Sequence, residues 1–465
     1  MGQRSLTLRW VAIGILVGAV AVASASIGAP REAVPRWLAL LGLSCSALAI
    51  AGLLAARLPK RQLVVATLGG AALLRLAAVC TPVSLSDDVH RYVWDGALGA
   101  AGLDPFAHRP RDVVGQAPGL GRARFERLNS PDYYTVYPPV AQLAFAAAAT
   151  TEPALDGTVS LRAIFALADL FGVLALFALL DRLGRAPGWA LLYAWNPLVY
   201  WELASGGHTE ALLVPLLLAA AVVAMDGRAL GVGILLGLAA AAKITALAVV
   251  PLFVVYLATR RGLGRALGAG GVAGAVLGLT FLPFASDTLV PHLRESLSLF
   301  SGRFSFNAPV YYALRDGMGY VEGFRPSVDP DLMPWLAVAT LLWLALMVFL
   351  QDGSRARFVG GVAFTFVGLM VFARVVHPWY LVPALAFGVA ARSPSIVLAS
   401  VLLPLSYLRY HPFGREEPWV IAVEFVPVFA VLLLETALRM TRTPARREAS
   451  KAPALVPAQG RTSHP

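Results

Sequence analysis

Charge is scarce in this chain: Asp, Glu, Lys and Arg make up 14% of its 465 residues, against about a quarter in an ordinary soluble domain. That shortage excludes a soluble fold, because 58% of the residues are hydrophobic and a chain of this length could not bury them all. Cysteine is almost missing. Cys45 and Cys80 both lie in or at the end of apolar runs and support no argument for a disulfide or a metal. Strict alternation of polar and apolar residues is missing too, which excludes strands that cross a membrane. No repeat of roughly 20 to 50 residues is visible.

What is present is a series of apolar runs that approach or exceed the roughly 20 residues a helix needs to cross hydrocarbon. Residues 8–29, 37–56, 62–81 and 160–180 are the clearest. The formal charge of +11 comes mostly from short Lys and Arg clusters between these runs, the positive-inside pattern, and does not point to nucleic acid. Arg4 and Arg9 precede a first apolar run that ends near Ala23-Ser24-Ala25; the run is long enough to span, so a retained helix is expected rather than a cleaved signal peptide.

The cationic clusters set an orientation. Arg4 and Arg9, then Arg57, Lys60 and Arg61, then Arg182 with Arg185, Arg228, and Arg260 with Arg261 and Arg265 read as cytoplasmic. The polar segment 82–138 is then a large first external loop and 286–333 a second one, within a transmembrane domain spanning 1–440. Three apolar segments, 139–150, 160–180 and 189–204, fall where the charges require an even number of crossings, so one of them is partial. The stretch 441–465, rich in Pro, Ala and charge, is expected to be a disordered basic cytoplasmic tail. The expected fold is an all-α polytopic membrane protein of about 12–14 transmembrane or partial helices.

Chemistry concentrates in a few words. Ser86-Asp87-Asp88-Val89-His90-Arg91-Tyr92-Val93-Trp94-Asp95-Gly96 follows directly after an outgoing helix. Adjacent carboxylates repel, so one keeps a raised proton affinity, suited to a general base, unless Arg91 or a metal stabilises the pair. If the word is helical, Asp88, Arg91 and Asp95 share a face. An interfacial amphipathic helix with its aromatics at headgroup level explains the same residues. Trp195-Asn196-Pro197 through Ser205-Gly206-Gly207-His208-Thr209-Glu210 reads as a broken helix that delivers an imidazole and a carboxylate to the same level. It reads equally as a polar helix cap, and two ligands alone do not make a metal site.

Lys243 lies among alanines, and an intramembrane ammonium either serves a function or snorkels to the surface. Arg75 and Asp169 are the other deep charges; they read either as a structural pair, which is favoured, or as lining of the cavity. Arg303-Phe304-Ser305-Phe306-Asn307 and His377-Pro378-Trp379-Tyr380 place donors beside ring faces. That suits phosphate and sugar, and also an aromatic belt.

With these words in hand, the chain resembles the GT-C superfamily of polyprenol-phosphate-sugar-dependent glycosyltransferases. It is most similar to bacterial and archaeal mannosyltransferase-like families with an Asp-Asp-x-x-Arg-Tyr-x-Trp-Asp-Gly word in the first external loop. Asp87, Asp88, Arg91, Tyr92, Trp94, Asp95 and Gly96 match it, with His90 where Tyr is more usual. Tyr133-Tyr134-Thr135-Val136-Tyr137-Pro138-Pro139, Asn196-Pro197, Gly207-His208-Thr209-Glu210, Lys243-Ile244-Thr245 and the His-Pro-Trp-Tyr word keep the family order, over roughly residues 60–410.

The resemblance implies an inverting transfer of a sugar, with mannose favoured. The donor is a polyprenyl phosphate and the acceptor a lipid-linked or glycan molecule, on the external face of the cytoplasmic membrane. It implies Asp87 or Asp88 as base, Asp87 favoured by its place in the word. Lys243, Arg303 and His377 would hold the leaving phosphate, and Glu210, His208 and Asp95 would orient sugar hydroxyls or a divalent cation. Further substrate contacts are expected from Arg91, Tyr92, Trp94, Tyr137, Asn307, Trp379 and Tyr380. A Mg or Mn ion, if used, would draw on Asp87, Asp88 and Glu210. Two rivals remain. A secondary transporter calls for internal repeats and short external loops, and a lipid-linked oligosaccharide ligase or polymerase calls for external Arg and His without an early acidic pair.

Overall fold

A computed structural model of the chain describes residues 3–83, 85–152, 154–302, 305–322, 332–411 and 418–449. A backbone in hydrocarbon must satisfy its own polar groups, so the apolar runs fold as helices. Their order is α1 (Gln3–Ala25), α2 (Val34–Ala55), α3 (Lys60–Val79), α4 (Asp88–Ala100), α5 (Arg122–Phe125), α6 (Pro139–Ala149), α7 (Gly157–Arg182), α8 (Leu191–Ala194), α9 (Pro197–Tyr200), α10 (Glu210–Met225), α11 (Ala229–Ala242), α12 (Val250–Arg261), α13 (Leu263–Phe281), α14 (Leu289–Gly302), α15 (Pro309–Glu322), α16 (Met333–Phe349), α17 (Arg355–Val371), α18 (Val382–Ala391), α19 (Pro394–Leu402) and α20 (Pro418–Ala449).

Among the described residues, seven stretches are long and apolar enough to cross a membrane: Arg4–Ala25, Pro30–Ala55, Lys60–Val79, Gly157–Arg182, Ile244–Arg261, Leu263–Phe284 and Trp419–Leu438. Six shorter apolar helices accompany them, which agrees with the expected number of full and partial spans. The chain is an all-α polytopic membrane protein. Its only sheet-like feature among the described residues is one parallel bridge, Phe306 with Val375. Helix α20 runs to Ala449, and residues 450–465 of the expected tail lie outside the described residues.

Of the three apolar segments in the 139–204 region, α7 is long and apolar enough to cross a membrane, while 189–204 is broken into short helical pieces. The 11 residues of α6 reach roughly 16 Å, far short of the roughly 30 Å hydrocarbon thickness. It instead packs along α4, so closely that any side chain at Gly96 would run into the carbonyl of Phe145. Asp156 caps the following long helix, accepting the Thr158 amide at 2.8 Å. The 82–138 segment also has a small core of its own, built on Trp94, Leu98, Val113 and Leu120, which holds it as a folded cap rather than a loose connection.

Three deep contacts fix the bundle below this cap. Arg75 on α3 donates to Asp169 on α7 at 2.7 Å and to the Ala194 carbonyl at 2.8 Å, while Tyr193 donates to the other Asp169 oxygen at 2.5 Å. Arg75 and Asp169 are therefore the structural pair the sequence suggested, and they tie α3, α7 and the broken 189–204 segment together. At the end of the bundle far from Asp88, the basic turns meet one another: Arg182 pairs with Asp226, Arg355 donates to the Arg182 carbonyl at 2.7 Å, and Arg260 to the Gly353 carbonyl at 3.1 Å.

Candidate functional site

The site is built where helices begin or break, because free backbone and polar side chains can collect there without interrupting a span. Asp87 precedes α4 and Asp88 is its first residue. The two carboxylates have different surroundings. Arg31, from the turn before α2, donates to both Asp87 oxygens at 3.2 and 3.0 Å and to the Leu85 carbonyl at 3.2 Å, and its guanidinium lies over the Tyr410 ring. Asp88 instead accepts the Asn129 amide at 2.8 Å and faces the Lys243 ammonium. Burial raises its proton affinity above the ordinary carboxylate range, against the opposing pull of Asn129 and Lys243 and with Asp87 adding repulsion.

The rest of α4 divides by face. Tyr92 follows Asp88 by one turn, stacks on Phe145 at 4.7 Å and meets Tyr137 edge-on at 4.7 Å, so these phenols wall the Asp88 side. Arg91 and Asp95 do share the predicted face, but they spend themselves on each other at 2.8 Å, both buried, with Arg91 also donating to the Ser130 carbonyl at 2.8 Å. They brace the cap. Trp94, expected at substrate, is fully buried in the core of the 82–138 segment because the helix turns that position toward Leu98 and Leu120.

Lys243 arrives from a different break. Helix α11 stops at Ala242, Lys243 is extended at φ −156° and ψ 123°, and a 3-10 turn, Ile244–Val249, follows. Its ammonium pairs with the Glu210 carboxylate and lies 5.2 Å from the centre of the Tyr380 ring. Glu210 opens α10, is 2% exposed at its side chain, and keeps one oxygen with no hydrogen-bond partner. Glu210 feels the charge of Asp88, and the charge of Lys243 is felt at Asp88 and His377. The structure thus brings Asp88, Glu210, Lys243, Tyr92, Tyr137 and Tyr380 to one place, from chain positions more than 150 residues apart in the sequence numbering.

The His-Pro-Trp-Tyr word forms one wall. Val376 donates to the Phe306 carbonyl at 2.7 Å, which docks residues 305–307 on it. Trp379 stacks with His208 at 3.6 Å and with His377 at 4.2 Å, and His377 stacks with Phe306 at 4.8 Å. Trp379 therefore spends its ring surface on imidazoles rather than offering it to a sugar. Burial, followed by the Lys243 ammonium, pushes the His377 imidazole down to about 3 and so toward its neutral form. Asn307, at φ 51°, donates to Glu424 of α20 at 2.6 Å and is fully buried. Arg303 lies outside the described residues. Among the described residues, no three His, Cys, Asp or Glu side chains gather as a metal-holding group. Asp87 is engaged by Arg31 and Glu210 by Lys243.

Four site residues were not read from the sequence: Arg31, Asn129, Glu202 and Tyr407. Glu202 sits in a π turn, Trp201–Ser205, that precedes the left-handed Gly207 and so turns His208 inward; Tyr407 donates to its carboxylate at 2.9 and 3.1 Å, with His208 Nε2 3.4 Å away. The available signal was a carboxylate inside an apolar run, which is costly enough to mark function. Arg31 had a weaker one, a lone cation on a turn where the charge pattern asks for none. Nothing in the sequence distinguishes Asn129 or Tyr407.

Residues 33–259 match a family model described as alpha-(1->6)-mannopyranosyltransferase, N-terminal domain. The matched stretch contains Asp87, Asp88, Glu210 and Lys243 and ends before the His377–Tyr380 wall. No curated protein matches the chain.

Proposed function

We propose, from the premise that this chain is a GT-C-type, mannosyltransferase-like membrane protein, that it moves mannose from a polyprenyl-phosphate donor to a glycan or lipid-linked acceptor, with inversion. The observation that carries this reading is the meeting of a proton-hungry carboxylate, Asp88, with a cation, Lys243, at one partly open place under the 82–138 cap. The acceptor O–H gives its proton to Asp88 as its oxygen bonds to the anomeric carbon from the side opposite the phosphate. The bond from that carbon to the phosphate oxygen breaks, and its electron pair leaves with the lipid phosphate. Phosphate leaves without being protonated, so a base and a cation suffice, and no general acid is required. Charge grows on the departing oxygen, where Lys243, oriented by Glu210 and Tyr380, stabilises it more than in the ground state.

Asp88 takes the role of base ahead of Asp87, because Arg31 already holds both Asp87 oxygens in an ion pair, turned to the guanidinium rather than to an acceptor hydroxyl. The basic clusters at the far end of the bundle support an external site, by the positive-inside rule.

The test uses the purified protein in proteoliposomes with radiolabelled polyprenyl-phosphate mannose, glucose or arabinose, and with a nucleotide-linked mannose as a separate arm. Mannose is expected to move from the lipid donor, with Asp88→Asn slowing transfer about 10²- to 10⁴-fold and Asp87→Asn far less. Equal rates for all three proteins would refute the base. Transfer from the nucleotide sugar alone would refute the donor.

A further inference from the structure

On the opposite side of α4 from Asp88 lies a cleft of about 200 Å³, enclosed by α4, the short α5 and the turn that joins α6 to α7. His90, Arg124, Arg127, Glu152, Asp156 and Thr158 line it. We propose that it is a carbohydrate subsite, holding a sugar of the acceptor glycan that lies back from the attacking hydroxyl; this rests on the glycosyltransferase reading above.

The walls are built before any ligand arrives. Arg124 grips Glu152 at 2.7 and 2.9 Å, Glu152 also accepts the Gly157 amide at 3.1 Å, and Asp156 accepts both the amide and the hydroxyl of Thr158. Two groups are left over. Arg127 is exposed, His90 is half-buried, and neither side chain makes a hydrogen bond or ion pair among the described residues. His90 is also the position at which the acidic word departs from the word it resembles.

The mixture of signs selects the ligand class. An anion would meet Glu152 and Asp156, a cation would meet Arg124 and Arg127, and a neutral polyol can use carboxylates as acceptors and guanidinium and imidazole as donors. The volume is below the roughly 300–1,000 Å³ of sites for drug-sized molecules and fits a single ring rather than a long chain.

One chain segment touches both the cleft and the reaction centre. Residues 127–129 run from one to the other: Arg127 lines the cleft, and Asn129 donates to Asp88 at 2.8 Å. His90 follows Asp88 by two residues, which on a helix points it to the opposite side of a rod roughly 10–12 Å across. A short oligosaccharide covers that span and a monosaccharide does not.

The test compares acceptors of two lengths, α-1,6-linked mannobiose and mannotetraose, with the proteoliposome protein and polyprenyl-phosphate mannose. Ala123→Trp fills the cleft from its exposed rim, and Arg127→Ala removes its free cation. The wild type is expected to prefer the tetraose by about fivefold in kcat/KM, the worth of one or two hydrogen bonds, and both variants to lose that preference with the mannobiose rate unchanged. A wild-type ratio near one, or variants that keep the wild-type ratio, would overturn the subsite while leaving the transferase reading intact. A second arm needs no transfer: saturation-transfer NMR of mannotetraose on the donor-free protein. A signal that weakens in Ala123→Trp supports the cleft even if no donor is turned over, and equal signals in both proteins reject it.

Discussion

At the end of the bundle away from Asp88, Arg182 and Asp226 form two 2.8 Å hydrogen bonds with side chains about one-third exposed, 31% and 33%. At the other end Lys243 holds Glu210 with that carboxylate 2% exposed, and one of its oxygens has no partner. Water screens the first pair and makes it nearly neutral in stability, whereas the second has surrendered its solvation and depends wholly on its partner. The same charge chemistry thus meets water at one end and is withdrawn from it at the other, and depth makes the difference. On the proposed reading, a half-buried cation beside a buried, half-satisfied carboxylate is suited to take a further anion, and a solvated pair is not.

The sharpest way to break the contrast is Lys243→Met. It strands Glu210 without its cation, and transfer should fall about 10²- to 10³-fold, with a loss of about 3–5 kcal/mol in stability by chemical denaturation. Adding Glu210→Gln should recover most of the stability and none of the rate; recovery of both would make the pair merely structural.

Next in size is the acid limb of the rate. Asp88 must be ionised to accept a proton, and its affinity for protons is raised. So kcat/KM should fall about tenfold per unit as pH drops below a midpoint lying above the ordinary carboxylate range. A midpoint at or below that range would remove Asp88 from the role.

Smaller still, Arg31→Gln frees Asp87 to compete with Asp88, and a loss of about tenfold in kcat, with KM little changed, is expected from misplacement of the α4 start. Unaltered kinetics would show that the Arg31 contact is incidental. At the bottom of the scale, Arg182→Ala at the far end should cost under about 1 kcal/mol and leave transfer untouched. A marked drop in rate there would erase the distinction between the two ends.

Much of this was legible in advance, and the parts that were not share a cause. The apolar runs, the polar 82–138 segment and the pair of carboxylates at its start follow from composition and spacing, because hydrocarbon imposes its demands residue by residue. Arg75 with Asp169 could be anticipated as well, since two opposite deep charges have few other solutions. Trp94 and Trp379 were less tractable. Both look like sugar platforms in a linear reading, yet one fills the core of the cap and the other is layered with imidazoles, since a ring face serves whichever neighbour reaches it first. The three-segment parity problem could be posed from charge, and only the tertiary structure shows α6 lying against α4.

The amino-acid order alone determined that this is a helical membrane protein with one basic end, and that its chemistry-bearing words sit at helix starts and breaks. Each of those is a local property, set by hydropathy and by the cost of an unpaired backbone group. Which of two adjacent aspartates meets a cation, and which is claimed by Arg31, was decided only by tertiary structure. The partners lie on separate helices whose relative rotation comes from side-chain packing, and no periodicity within a single segment encodes it.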